Sequence, residues 1–192
     1  MEKTTNILLV GVGGQGTILA SKILGHVAQN LGAEVKVSEI HGMSQRGGSV
    51  VTQVRFGEKV YSPVIAPGTA DVILAFEKLE ALRWLPFLKE GGVMIVNNQE
   101  IDPMPVIMGA AEYPQDIFRT LESAARTVKV PALAMAEACG SVKSVNVVLL
   151  GVLAKSLGLD EEVWLDALIH CVPKKTIEVN KKAFLQGYQF AG

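Results

Sequence analysis

Two stretches of this sequence carry residues suited to holding an anion. The first is Gly11, Val12, Gly13, Gly14, Gln15 and Gly16. The spacing Gly-x-Gly-x-x-Gly lets the backbone take positive φ and lets another group approach closely. A helix that opens directly after such a turn aims its unpaired N–H groups and the positive end of its dipole into it, which suits a phosphate. The second is Ser44, Gln45, Arg46, Gly47 and Gly48, with His41 upstream. Its paired glycines expose amides, Arg46 offers a planar fork matched to phosphate or carboxylate, and Ser44 and Gln45 add neutral donors. Glu39 stands about 20 residues past the glycine turn, where a dinucleotide fold places its ribose-binding acid. Each feature also fits a plainer role: a tight strand–helix turn, a solvated loop with a surface arginine, a carboxylate at a strand end.

Chemistry beyond binding is thin. His41 is the best acid–base candidate by residue type, but no carboxylate partner is assured for it. His26 and His170 fall in helical patterns and suggest no metal site. There is no nucleophile elbow, zinc-binding helix motif or Walker lysine. Cys139 and Cys171 are the two cysteines, too few for an iron–sulfur cluster or a cysteine-rich zinc site. No catalytic residue and no metal ligand is therefore assigned. A subunit whose active site is completed by another chain has this character.

The elements around these residues follow from periodicity. Ile7 to Val10 is an apolar run of strand length. Ala20, Ile23, Leu24, Val27, Ala28 and Leu31 recur at helical spacing after the turn. Glu34 to Ser38 reads as a second strand. Residues 39 to 49 form a polar, glycine-rich loop at the carboxyl edge of the sheet, where open α/β folds take ligands. Val50 to Phe56 alternates as a strand, Gly57-Glu58 reads as a turn, and Lys59 to Ser62 reads as the returning strand of a hairpin. Ala70 to Phe76 and Val93 to Val96 are buried strands, with a helix from Glu77 to Leu88 that Pro86 ends or bends. Val106 to Met108 reads as a short strand. A helix from Asp116 to Arg126, a strand from Thr127 to Val130 and a helix from Ala132 to Cys139 follow. From Ser144 the chain reads as helical, with breaks at Gly158 and Pro173 and a cap at Asp160. The sum is a three-layer α/β/α Rossmann-like sandwich with a mixed, mainly parallel sheet, a β-hairpin and a helical C-terminal segment. With 192 residues and no break in composition, one domain over 1–192 is expected.

The totals agree with that reading. Hydrophobic residues make up 49%, enough for a sizeable core, and 18 basic residues nearly balance 19 acidic ones. That balance argues against a nucleic-acid partner or a polybasic membrane surface. No apolar run reaches membrane-spanning length, no leader peptide is visible, and the cytoplasm is the expected compartment. A mean hydropathy of +0.32 hints that a partner covers part of the surface.

The motifs taken together resemble the gamma-domain family of 2-oxoacid:ferredoxin (acceptor) oxidoreductases. The resemblance rests on Gly11 to Gly16, on Ser38-Glu-Ile-His-Gly-Met-Ser-Gln-Arg-Gly-Gly48, on Ala75-Phe-Glu-Lys-Leu-Glu-Ala81 and on Asn180-x-x-Ala-Phe-x-x-Gly187. Within the family, the run before Arg46 looks most like the small subunit of the indolepyruvate branch. The resemblance implies oxidative decarboxylation of an aryl 2-oxoacid to an acyl-CoA with electrons passing to ferredoxin. It also implies a large partner subunit that carries thiamine diphosphate and the iron–sulfur clusters; a homodimer is a further option. It turns the anion seat toward coenzyme A, with Gly11, Gly13, Gly14, Gln15, Gly16, Ser44, Gln45, Arg46, Gly47 and Gly48 around it. Asn146, Glu77 and Asn180 are weaker candidates, with helix capping or subunit contact as their plainer roles. The spacing itself leaves two other readings open: a free-standing NAD-dependent dehydrogenase using Glu39, and an assembly module whose turn binds nothing.

Overall fold

The structure, a computed structural model, describes residues 4–41 and 47–190. β1 (Thr5–Val12) lies in the middle of the sheet, with Ile7, Leu8, Leu9 and Val10 wholly buried. A strand covered on both faces has no polar side to show, which explains its unbroken apolar run. α1 (Thr17–Asn30) follows the glycine turn and buries Ala20, Ile23, Leu24, Val27 and Ala28. β2 (Glu34–His41) and β3 (Ser49–Gly57) come next, then β4 (Ala70–Ala75), α2 (Lys78–Trp84) and β5 (Leu88–Asn97). α3 (Met104–Ile107), α4 (Ile117–Ala124), β6 (Arg126–Val130) and α5 (Ala132–Ala138) complete the sheet region. α6 (Val145–Leu157), α7 (Glu161–Cys171) and α8 (Ile177–Gln189) form the helical C-terminal part.

The strand order is β2-β3-β1-β4-β5-β6. β1, β4, β5 and β6 run parallel, and β3 pairs antiparallel with both β1 and β2. The mixed sheet is as expected, but the hairpin is not where the turn chemistry put it. β3 has β2 on one edge and β1 on the other, so no edge is left for a strand returning after Gly57. Lys59–Ser62 accordingly carries no strand. β2 runs on to His41, which moves Glu39 and His41 from the expected loop onto a strand. The stretch expected as a strand at Val106 to Met108 instead ends α3 at Ile107, with Met108 as its C-cap, in a helix whose first turn holds Pro105 with its fixed φ.

Two buried clusters flank the sheet. On one face Ile7, Leu9, Val54 and Phe56 meet α1, α5, α6, α7 and α8. On the other Leu8, Val10, Val51 and Ile73 meet Ala81 of α2 and Ile117 and Leu121 of α4. α6 is buried from Asn146 to Ala154, more fully than one apolar stripe would require. It touches α8 backbone to backbone: a Cβ on Gly187 would stand 1.9 Å from the Val148 carbonyl oxygen, and one on Gly151 2.1 Å from that of Phe184.

Candidate functional site

β1 and β3 are paired through Val12 and Ser49. The glycine turn after β1 and the bend before β3 therefore open at the same rim of the sheet. They are bonded there, with the Gly13 N–H donating to the Gly48 carbonyl at 2.9 Å. Of the second expected constellation, Gly48 makes this contact and Gly47 precedes it at φ +78°; Ser44, Gln45 and Arg46 fall outside the described residues.

The glycines of the first turn do different work. Gly11 packs on Phe76, where a Cβ would come within 3.0 Å of the Phe76 Cβ. Gly14 has φ +104° and no atom within 4 Å of where a Cβ would be, so its Cα faces open space. Gly16 caps α1 with φ +83°, and a Cβ there would stand 2.5 Å from Asn146 Nδ2. Asn146, buried at the start of α6, donates that nitrogen to the Gly16 carbonyl at 3.2 Å.

Gln15 holds the turn from inside. Its Oε1 accepts from the Val12 N–H at 2.7 Å, and its Nε2 donates to the Phe76 carbonyl at 2.9 Å and to Gln99 Oε1 at 3.3 Å. Both amide hydrogens are used within the chain. The side chain expected to reach a ligand instead ties the turn to the ends of β4 and β5, leaving donors of the turn itself on the backbone. α1 has no side-chain cap at its N-terminus.

Three clefts open around this rim. One of about 340 Å³ lies under Gly47 and Gly48 and reaches Glu77, Glu80, Arg83 and α3. One of about 190 Å³ lies between the start of α1 and the ends of β2 and β3. One of about 510 Å³ lies between Gly14–Gly16 and the α5–α6 corner, with Lys143 and Asn146 in its wall. Glu39 lines the middle cleft, and its Oε1 accepts from Ser21 Oγ, outside that cleft, at 3.0 Å. A dinucleotide fold sets its acid-bearing strand beside β1. Here β3 intervenes, so Glu39 stands one further strand spacing, about 4.8 Å, from the turn.

Sequence reasoning gave too little weight to the acids beneath the second bend. Glu77 and Glu80 are buried. Glu77 caps α2 by accepting the Glu80 N–H at 2.9 Å, and it also accepts from Ile101 N–H and the Tyr113 hydroxyl. Burial first, and then this bond to Glu77, hold the Tyr113 phenol well above the usual tyrosine range. Glu80 accepts from Ser49 Oγ at 2.5 Å and pairs with Arg83 Nε at 3.2 Å, fixing the start of β3 to α2. Two acids three residues apart, directly after a buried strand, were the available signal. Asn180 serves within the chain, accepting from Ser144 Oγ at 3.1 Å and donating to the Thr176 carbonyl at 2.9 Å.

Among the described residues no group of three or more His, Cys, Asp or Glu side chains is placed to hold a metal ion. No helix among them is long and apolar enough to cross a membrane.

The model of one protein family, pyruvate ferredoxin/flavodoxin oxidoreductase, matches residues 6–190. The indolepyruvate oxidoreductase subunit IorB of Thermococcus kodakarensis is 43% identical, over 98% of this chain and 96% of that protein. The 2-oxoglutarate synthase subunit KorC of Methanocaldococcus jannaschii is 30% identical, over 96% of this chain and 92% of that one. Among solved structures, the keto/oxoacid ferredoxin oxidoreductase gamma subunit from Geobacter sulfurreducens PCA superposes with a TM-score of 0.73 at 26% identity, covering 96% of each chain.

Proposed function

Because this chain belongs to the pyruvate ferredoxin/flavodoxin oxidoreductase family, we propose that it is the small subunit of an enzyme that oxidises indolepyruvate or a related aryl 2-oxoacid, and that it seats coenzyme A for that enzyme. Its relatives are subunits of oxidoreductase complexes. It acts as a single gamma-type domain, in the cytoplasm, beside a large subunit that holds thiamine diphosphate and the iron–sulfur clusters and passes electrons to ferredoxin. With two cysteines, Cys139 and Cys171, this chain does not fit a cluster of its own.

The observation that carries this reading is the 2.9 Å hydrogen bond between Gly13 and Gly48. It joins two amide-rich bends at the rim where the parallel strands end, which is where ligands enter open α/β sheets. The residues present fit a diphosphate: Gly14 presents bare backbone to open space, and α1 directs its positive end at the same spot. Gly14, Gly16, Gly47 and Gly48 would hold the diphosphate through the main chain, with Gly13 tying the two bends together and Ser44, Gln45 and Arg46, which precede Gly47 in sequence, as the proposed side-chain donors. When bound, coenzyme A supplies the thiol that takes up the acyl group.

The test is the KM for coenzyme A in the reconstituted two-subunit complex. Gly14→Val should raise it about tenfold or more, equivalent to about 1.4 kcal/mol, with the KM for the 2-oxoacid little changed. Arg46→Ala should act in the same direction, since a charge-assisted contact is worth about 1.5–3 kcal/mol. Oxidoreductase activity from this chain alone, or an unaltered coenzyme A KM in both variants, overturns the proposal.

A further inference from the structure

The cleft between α1 and the ends of β2 and β3 has a use of its own. Its upper wall is Gly13, Gly14 and Thr17, where α1 begins, and its lower wall includes Glu39 and Thr52. α1 is 14 residues long and its N-terminus has no side-chain cap. The floor holds a second and independent feature. Thr52 is wholly buried, and its hydroxyl oxygen has no hydrogen-bond partner among the described residues. A buried hydroxyl is ordinarily satisfied, so this one marks a place for a polar group from outside the chain.

The register explains why Thr52 is there. Thr52 pairs with Leu9 of β1 on one side and with Glu39 of β2 on the other. All three point to the α1 face of the sheet. β3, the strand that separates β2 from β1, thus supplies a hydroxyl in the gap it creates, next to the carboxylate. The cleft is also sorted by charge. Glu39 is bonded to Ser21, four residues into α1 from Thr17, which is about 6 Å along the helix axis. The end at Gly14 favours an anion, and at the other end Glu39 accepts hydrogen bonds, with the His41 imidazole in the same wall. The volume of about 190 Å³ admits a pentose and leaves a base outside.

We propose that this cleft is a ribose site: it takes a 5′-phosphorylated nucleoside with a free 2′,3′-diol, its phosphate toward Gly14 and its diol against Glu39 and Thr52. A 3′-phosphate, which coenzyme A carries, would meet the Glu39 carboxylate and be disfavoured. The diol has two sources, a free nucleotide or dephospho-coenzyme A. This assignment shares the anion seat at Gly14 with the coenzyme A reading and differs from it in the ligand.

Calorimetric titration of the full chain and of the two-subunit complex tests it, with AMP, adenosine 3′,5′-bisphosphate and dephospho-coenzyme A as probes. AMP should bind at least about tenfold more tightly than the 3′,5′-bisphosphate, a margin of about 1.4 kcal/mol. Glu39→Gln should weaken AMP and narrow that margin. Thr52→Val should weaken AMP, while Thr52→Ser, which keeps the hydroxyl, should restore it. Dephospho-coenzyme A binding more tightly than AMP assigns the diol to an acyl carrier, and equal binding assigns it to a free nucleotide; both support the site. Absence of AMP binding, equal affinity for the two phosphorylated adenosines, or an unchanged margin in Glu39→Gln overturns it. Failure of the coenzyme A reading would appear separately, as an unmoved coenzyme A KM in the complex with AMP affinity intact.

Discussion

Gly16→Ala should destabilise this protein far more than Gly14→Ala, although both residues sit in the same turn at positive φ, +83° and +104°. A side chain in the left-handed region costs about 1–2 kcal/mol at either position. At Gly14 that is the whole cost, because nothing lies within 4 Å of the new Cβ. At Gly16 the Cβ would stand 2.5 Å from Asn146 Nδ2 and 3.1 Å from its Cγ. Asn146 is buried and is held in place by its bond to the Gly16 carbonyl at 3.2 Å. Forcing it aside adds about 1–3 kcal/mol of overpacking, and the lost bond to the Gly16 carbonyl adds about 1 kcal/mol. The expected totals are about 3–6 kcal/mol for Gly16→Ala against about 1–2 kcal/mol for Gly14→Ala. The larger figure is a major share of a typical stability of about 5–15 kcal/mol. Urea unfolding followed by far-ultraviolet circular dichroism reads the difference as a shift in midpoint at constant slope. Adding Asn146→Ala to Gly16→Ala should recover part of the loss, a non-additivity expected only of groups in contact. Equal midpoint shifts for the two glycine variants, or strict additivity in the double variant, would refute the reasoning.

The helix contact gives a second prediction. Gly187→Ala must push α8 away from the Val148 carbonyl, a backbone atom 1.9 Å from the new Cβ, and should cost about 3 kcal/mol or more, seen as a lowered thermal midpoint or loss of folded yield. Tyr113 is held neutral by burial and by Glu77. Its contribution to stability is therefore complete below the ordinary tyrosine pKa of about 10 and is lost as pH rises above it. In an alkaline absorbance titration its phenolate should appear only with unfolding, and Tyr113→Phe should remove that step. Burial raises the Cys171 thiol, so alkylation at pH about 8.5, where a free thiol is half ionised, should be slower for Cys171 than for a peptide thiol and should accelerate on denaturation.

Much of this was legible in the sequence wherever local chemistry and global packing agree. The turn after β1 declares itself because apolar strand, glycines and helical period follow one another without interruption. The family follows from the four motif segments, which bear on the function more than any one of them does. Pairing across the sheet was not legible. Gly57-Glu58 is a sound turn signal, yet the partner of β3 is decided by which edges are already occupied, a fact set by β1 and β2 rather than by residues 57 to 62. Gln15 was read as a donor to a ligand because its type allows it. Only the placement of Phe76 and Gln99 shows where its hydrogens go. Thr52 gave no signal at all, since a threonine in a strand is ordinary until its hydroxyl is found without a partner. Asn180 and Gly187 stood out as motif residues, and their work, holding α8 against α6, depends on a contact between helices that periodicity does not encode.

The bond from Asn146 to Gly16 has a consequence for how the rim is made. Every glycine of the seat lies between residues 11 and 48, and so is synthesised ahead of α6. The amide that secures Gly16 belongs to α6, which is synthesised about a hundred residues later. A fragment stopping before Val145 would carry the complete fingerprint and still lack the clasp behind it. The fingerprint would be in place early, and its final shape would wait for the C-terminal helices to dock.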